Sequence, residues 1–212
     1  AATGAMVSST AVTAALAMRV RDGEESEAMA IAGIGAASAV MLIRAAILSA
    51  VLAPAAMPEF GWIAAPAALV SGGAIFLALR SRHDTSATDR PVELKNPFRL
   101  APAIGLMLLV MLLTVAARWM MAMVGERGLA LVIALSGLAD VDSAIIAVGS
   151  LPHGLLKGQL ATIVIVAPVL ANTLFKGATA LAIAGWRKGW KLALPLVLSV
   201  AASLMLVPIL LF

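Results

Sequence analysis

Cysteine is absent from the 212 residues, and charged residues make up only 12% of them. Without cysteine, the chain can form neither a disulfide framework nor a thiolate metal site. The scarcity of charge accompanies 62% hydrophobic residues and a mean hydropathy of +1.05. A soluble domain is typically about 45–50% apolar. The composition therefore excludes an ordinary soluble domain and predicts an integral membrane protein.

The start of the sequence lacks a signal peptide. Ala1-Ala-Thr-Gly opens inside an apolar, small-residue segment with no basic n-region. This pattern is typical of a fragment of a longer polypeptide. The net charge of +4 does not indicate nucleic acid as a partner, because basic residues beside apolar runs are ordinary topology signals of membrane proteins.

Seven apolar runs are separated by charged or Pro/Gly-containing breaks, and a bilayer crossing requires roughly 20 residues. The predicted spans are 3–18, 28–52, 61–79, 100–124, 128–148, 155–184 and 192–211. The longest polar stretch, 81–99, reads as a solvent-exposed linker. We therefore predict an all-α, polytopic transmembrane bundle that forms a single domain over 1–212.

An internal repeat relates the beginning of the chain to its end. The matched positions are Thr3-Gly4 with Ser136-Gly137, Thr10-Ala11 with Ser143-Ala144, Arg44 with Lys176, Pro66 with Pro195, and Ser71 with Ser199. Repeat one covers about 1–80 and repeat two about 100–212, so spans one to three match spans five to seven. Because spans one and five would cross in the same direction, this predicts a parallel repeat around an axis along the membrane normal, a style known among transporters.

Basic loop residues predict the orientation. One side carries Arg19, Arg21, Arg80, Arg82, Arg90, Lys95, Arg99 and Lys157. The other carries Arg118, Arg127, Arg187, Lys188 and Lys191, together with Trp62, Trp119, Trp186 and Trp190. The positive-inside rule places the first set, including linker 81–99, in the cytoplasm. A multi-pass location in the inner (plasma) membrane is expected, with the lipid bilayer as a partner.

Two carboxylates in the middle of the fifth span give the strongest functional signal. Asp140 and Asp142 lie in Ser136-Gly-Leu-Ala-Asp-Val-Asp-Ser143. A carboxylate at the centre of a membrane helix costs roughly 2.5–3.5 kcal/mol. On an intact helix, residues two apart point in nearly opposite directions. Either Asp140 alone faces the bundle with Ser136 and Ser143, or the backbone unwinds near Gly137 and both carboxylates turn inward.

Polar residues of other spans complete a candidate ion site, whose ion is left open. They are Asn172 and Lys176 on span six, Arg44 on span two, and Ser8, Ser9, Thr10 and Thr13 on span one. Each has a simpler interpretation. Asp140 and Lys176 could form a structural ion pair, Arg44 and Lys176 could extend toward the membrane interface, and the hydroxyls could serve helix packing.

Five motifs together resemble a known family. They are Gly4-Ala-Met-Val-Ser-Ser-Thr-Ala-Val-Thr13, Ala37-Ser-Ala-Val-Met-Leu-Ile-Arg44, Asn96-Pro-Phe98, Ser136-Gly-Leu-Ala-Asp-Val-Asp-Ser143 and Leu170-Ala-Asn-Thr-Leu-Phe-Lys176. Over nearly the whole chain, the combination resembles the bacterial and archaeal membrane domain of unknown function that often follows an MgtC/SapB-type domain. The resemblance implies no assigned reaction. It implies a link to cation homeostasis, an MgtC-like domain in the same polypeptide or complex, and further helices before the first motif.

Three classes of function follow from these residues. A transporter or channel for a small ion, with a cation favoured, fits a midplane polar site on a broken helix. A regulatory or scaffold domain that supports an attached MgtC-like domain is the alternative. An intramembrane aspartyl hydrolase fits worst, because two carboxylates on one helix at a spacing of two cannot share a proton. We therefore expect no enzyme activity and no cofactor, and we leave a homo-oligomer open.

Overall fold

The computed structural model describes residues 8–54, 57–80, 111–112, 115–116, 118–151 and 158–211, and all regular structure within them is helical. Seven helices fall in this part of the chain. They are α1 (Ser9–Arg21), α2 (Glu27–Leu52), α3 (Met57–Arg80), α4 (described in parts within 111–124), α5 (Glu126–Ala139), α6 (Val141–Gly149) and α7 (Gly158–Leu211). The predicted all-α class is confirmed.

Three helical segments are long and apolar enough to cross a membrane. They are Glu27–Leu52, Phe60–Arg80 and Thr162–Leu206. They support a membrane protein, but the count of seven spans is not confirmed. The predicted span 128–148 forms two short helices, α5 and α6, rather than one. The linker 81–99 and most of the predicted span 100–124 lie outside the described residues.

Helix α7 is a hairpin rather than one straight rod. Gly185 has φ 74° and ψ 164°, a backbone conformation that glycine adopts without steric cost. A Cβ added to Gly189 would lie 2.7 Å from the Cα of Leu181, and one added to Gly177 would lie 3.8 Å from the Cβ of Ala193. On a straight helix these pairs would be about 12 and 24 Å apart. The chain therefore folds back at Gly185 into two antiparallel arms, α7a (158–184) and α7b (186–211).

The chain contacts define two compact units. Unit 1 comprises Ala1–Leu42, Ala65–Pro97 and Thr173–Met205. Unit 2 comprises Ile43–Ala64, Phe98–Asn172 and Leu206–Phe212. Helices α2, α3 and α7 contribute residues to both units. The predicted division into repeat one, linker and repeat two stays a prediction.

Unit 1 has an apolar core between α1, α2 and both arms of α7. The core residues are Val12, Leu16, Ala17, Val20, Ala30, Ile34, Ala37, Ala180, Ala184, Leu192 and Leu196. At one end of unit 1, the Lys188 ammonium donates a 2.8 Å hydrogen bond to the carbonyl of Val20. The Lys191 ammonium pairs with Glu27 at 2.6 Å. The turn of α7 therefore lies beside the loop that joins α1 to α2.

These contacts contradict the predicted orientation of the basic loops. The predicted orientation puts Lys188 and Lys191 on the side opposite Arg19 and Arg21, whereas unit 1 holds them at the same end. The prediction assumed that every apolar run crosses the membrane once. Under that assumption spans two and five cross in opposite directions, whereas in unit 2 α6 runs alongside α2 in the same direction, from the Arg44–Asp142 pair to the contact between Leu52 and Gly149.

The same contacts do not agree with a parallel repeat, which is not confirmed. Within unit 1, α2 begins at the end where Glu27 meets Lys191. Helix α7a, its predicted counterpart, ends at this same end of unit 1. Along α7a, Lys176 comes first and contacts Met41, in the middle of α2, and the turn at Gly185 beside the start of α2 comes after it. The two matched helices therefore run in opposite directions within unit 1.

Candidate ion site at the break between two helices

The backbone is interrupted at Asp140, between α5 and α6. Asp140 has φ −162° and ψ 127°, an extended conformation. It is both the C-cap of α5 and the N-cap of α6. Its carboxylate accepts hydrogen bonds from the Ser143 amide at 2.8 Å and the Ser143 hydroxyl at 2.6 Å. An acidic cap at a helix N-terminus satisfies unpaired amides and interacts favourably with the helix dipole. Of the two alternatives left open by the sequence, the structure has the interrupted helix, with the break three residues after Gly137.

Gly137 lets α5 approach α7a closely in unit 2. A Cβ at this position would lie 2.3 Å from the Cα of Pro168 and 2.4 Å from its carbonyl oxygen. Only glycine fits such a backbone contact. One turn after Pro168, the Asn172 amide donates a 2.9 Å hydrogen bond to the carbonyl of Gly137. Asn172 thus supplies a partner for a carbonyl of the last turn of α5, where helices leave carbonyls unsatisfied.

Asp142 forms an ion pair with Arg44 of α2. The Asp142 side chain is 11% exposed, whereas that of Arg44 is 37% exposed. Because the opposite charges are in contact, the carboxylate of Asp142 is balanced within unit 2. Sequence reasoning proposed Arg44 as an inward-facing cation but did not identify its partner. The choice depends on α6 packing alongside α2, which local sequence does not reveal.

Asp140 differs from Asp142 because its contacts are to neutral donors. Among the described residues, no cationic group lies within ion-pairing distance of Asp140. Both of its hydrogen bonds from Ser143 are made to Oδ2. The last turn of α5 presents the negative end of a helix dipole toward this position. The break therefore combines a carboxylate with helix-terminal carbonyls, a set of oxygens that hard cations prefer.

Lys176 lies in unit 1 and is completely buried. Its ammonium lies 3.0 Å from the thioether sulfur of Met41. The ion pairs of the described residues do not include one between Lys176 and Asp140. Met41 is a contact that sequence reasoning missed, although it lies within the quoted motif 37–44. A methionine gives no sequence signal of polar function, because it usually fills core space.

Two hydroxyl side chains at the start of α1, those of Ser8 and Thr13, bond to the backbone of the same helix. Ser8 caps α1 by accepting a 3.2 Å hydrogen bond from the Ala11 amide. The Thr13 hydroxyl donates to the Ser9 carbonyl at 3.0 Å, and both residues are buried. Thr10, also on α1, is half-buried. This pattern agrees with helix packing; a role in ion binding stays a prediction.

The Ser136 hydroxyl also bonds within its own helix. The buried Ser136 hydroxyl donates to the Ile133 carbonyl at 2.7 Å, inside α5. Within the described part of the chain, no three His, Cys, Asp or Glu side chains are grouped closely enough to hold a metal ion. A cation at Asp140 would therefore need hydroxyl, amide, backbone or water oxygens as its further ligands.

Unit 1 also contains a cavity of about 570 Å³ between α2, α3 and α7b. Its walls are mostly apolar side chains, and its charged residues are Glu27 and Lys191, which pair with each other. Such a lining suits hydrocarbon better than a hydrated ion. The cavity is therefore not a candidate ion site.

Comparison with known proteins identifies the family without assigning an activity. No curated protein and no solved structure is detectably similar to the chain. A family model matches residues 1–184, which include every residue of the candidate site. An association with MgtC-type domains is not shown. The chain belongs to the family described as "Domain of unknown function (DUF4010)".

Proposed function

We propose that the protein is a membrane transporter or channel for a small cation and that Asp140 is its charged ligand. The observation that carries this proposal is the Asp140 carboxylate at the interruption between α5 and α6, hydrogen-bonded only to neutral groups among the described residues. A carboxylate within an apolar segment requires compensation. A bound cation would supply it.

The helix break supports this role. Interrupted helices in transporters bring helix ends and backbone carbonyls to a bound ion. Asp140 lies where α5 ends and α6 begins, and Asn172 holds the last turn of α5 through Gly137. The neighbouring Asp142 already has Arg44 as its counter-charge. We therefore assign ion binding to Asp140 and an anchoring role, fixing α6 against α2, to Asp142.

The proposal includes a location and a partner. One end of unit 1 is rich in basic residues: Arg19, Arg21, Lys188 and Lys191. Arg80, the last residue of α3, belongs to the same end, because Ala78, two residues before it, lines the same cavity as Glu27. By the positive-inside rule, this supports a cytoplasmic end in the plasma membrane, with linker 81–99 on that side. An MgtC-like domain is the proposed protein partner, and oligomerisation is left to measurement.

Cation binding to purified protein tests the assignment. The unfolding temperature would be measured with Na⁺, K⁺, Mg²⁺ or Ca²⁺ against N-methyl-D-glucamine at equal ionic strength, because a ligand that binds only the folded state raises it. We expect stabilisation by at least one cation, lost in Asp140→Asn. The matched control, Asp142→Asn combined with Arg44→Met, removes an acid and its paired base and should keep the cation response. A response that survives in Asp140→Asn would reject Asp140 as the ligand.

The scaffold alternative is favoured by the hydroxyls of Ser8 and Thr13, which bond to the backbone of their own helix. If no cation stabilises the unmutated protein, and no cation crosses a membrane containing it, the scaffold function replaces transport.

A further inference from the structure

Each unit contains a capped short helix that runs parallel to a long helix. In unit 2, Asp140 caps α6, and α6 follows α2 from the Arg44–Asp142 pair to a contact between Leu52 and Gly149. In unit 1, Ser8 caps the start of α1. The ends of α1 and α7a lie close together, because Ala17 and Ala184 belong to one apolar core and Lys188, just after the turn, donates a hydrogen bond to the carbonyl of Val20.

One shift in numbering relates these two arrangements. A shift of 132 residues carries Ser8 onto Asp140, Arg44 onto Lys176, and helix Glu27–Leu52 onto 159–184, which is α7a without its first residue. The same shift matches Ala17 with Gly149 and Leu52 with Ala184. Ala17 and Ala184 belong to one core in unit 1, and Gly149 and Leu52 are in contact in unit 2. Because α2 and α7a run in opposite directions within unit 1, a repeat with this shift would be of the inverted kind, the other style found in transporters.

The two copies differ in charge at one position. In unit 2, the cation Arg44 has the carboxylate of Asp142 beside it. In unit 1, Lys176 takes the place of Arg44, and the shift puts Thr10 in the place of Asp142. The unit 1 copy therefore has the cation but lacks the acid.

Within the described residues, the surroundings of Lys176 supply no opposite charge. Its side chain is 0% exposed, and its ammonium contacts the Met41 sulfur at 3.0 Å. A thioether is a weak acceptor, whereas an ammonium has three donors. No ion pair to Lys176 exists within the residues that the structure describes. One turn before Met41, the buried Ser38 hydroxyl also has no hydrogen-bond partner among them.

We propose that Lys176 binds a small monovalent anion, of the chloride class, at the place in unit 1 that corresponds to the Asp142 carboxylate in unit 2. The ammonium of Lys176 supplies the charge, and the hydroxyl of Ser38, on the same side of α2 as Met41, supplies a further donor. A bound anion balances a buried ammonium as a carboxylate does. This site is independent of the cation site proposed at Asp140.

Anion-dependent stability tests this site directly. The unfolding temperature of the purified protein would be measured in chloride and in gluconate at equal sodium concentration and ionic strength. We expect chloride to raise it by a few degrees, with an effect that increases with the logarithm of its concentration above saturation. Lys176→Met should abolish the difference. Lys191→Met, which also removes one lysine but from an exposed pair, should keep it.

A second variant tests the position given by the repeat. Thr10→Asp introduces the carboxylate that unit 2 carries, so it should remove the chloride dependence and make stability in gluconate approach that of the unmutated protein in chloride. If Thr10→Asp fails to fold, broadening of the ³⁵Cl NMR signal by the unmutated protein and its loss in Lys176→Met decide the question. Equal unfolding temperatures in chloride and gluconate for the unmutated protein, or a chloride effect retained in Lys176→Met, would overturn the proposal. A folded Thr10→Asp that keeps the effect would overturn the proposed position.

Discussion

Breaking the Arg44–Asp142 ion pair should lower the stability of the protein by an amount that follows from the burial of the two side chains. Replacing Asp142 by Asn removes the counter-charge of Arg44 and leaves the guanidinium with a neutral neighbour. Breaking a fully buried pair costs roughly 3–5 kcal/mol. Here Asp142 is 11% exposed but Arg44 is 37% exposed, so solvent screens part of the interaction. We therefore expect a loss of about 2 kcal/mol in the free energy of unfolding.

A double-mutant cycle isolates this interaction. Asp142→Asn, Arg44→Met and the double variant would be unfolded with dodecyl sulfate in mixed micelles, with helicity followed by circular dichroism. Contacting residues typically show coupling of about 0.5–3 kcal/mol. The double variant should recover most of the stability lost in Asp142→Asn. A coupling energy near zero would show that the pair does not anchor α6 against α2.

Four further substitutions test close packing, the turn of α7 and the contacts of Asp140. Gly137→Ala should destabilise the protein by several kcal/mol, because a Cβ would lie 2.3 Å from the Pro168 backbone and overpacking commonly costs about 1–3 kcal/mol or more; an unchanged denaturant midpoint would contradict the close packing. Gly185→Ala should lower the free energy of unfolding by about 1–3 kcal/mol, because φ 74° with ψ 164° lies in a region that essentially only glycine occupies. Gly72→Ala, in open space on α3, should be neutral or raise it by about 1 kcal/mol. Ser143→Ala removes one donor to Asp140 and should weaken any cation response without abolishing it, as cation titration of the unfolding temperature would show.

Much of the helical framework could be predicted from the sequence. Both ends of the predicted spans 28–52 and 61–79 lie within four residues of the ends of helices Glu27–Leu52 and Met57–Arg80, because the thickness of a bilayer sets the length of the apolar run that crosses it. A Gly beside small polar residues marked the region of the break, and the backbone departs from helix at Asp140. These features depend on local sequence.

The ion-pair partners of the buried charges and the directions of the packed helices could not be predicted from local sequence. Arg44 was matched to Lys176 by position, but the identity of its carboxylate depends on α6 running parallel to α2. The end at which Lys188 and Lys191 lie depends on the hairpin at Gly185 and on the direction in which α7a runs beside α2. Charge counts in loops contain no information on which helices pack together. The predicted parallel repeat does not agree with the packing of α2 and α7a in unit 1 for the same reason.

Cation flux through reconstituted protein tests the central claim most directly. The full-length protein and its Asp140→Asn variant would be incorporated into liposomes at equal density, with helicity checked, and uptake of Na⁺, K⁺, Mg²⁺ and Ca²⁺ would be compared with empty liposomes. The account predicts flux of at least one cation, reduced at least tenfold in Asp140→Asn and retained in the paired control Asp142→Asn with Arg44→Met. Undiminished flux in a folded Asp140→Asn protein would contradict it.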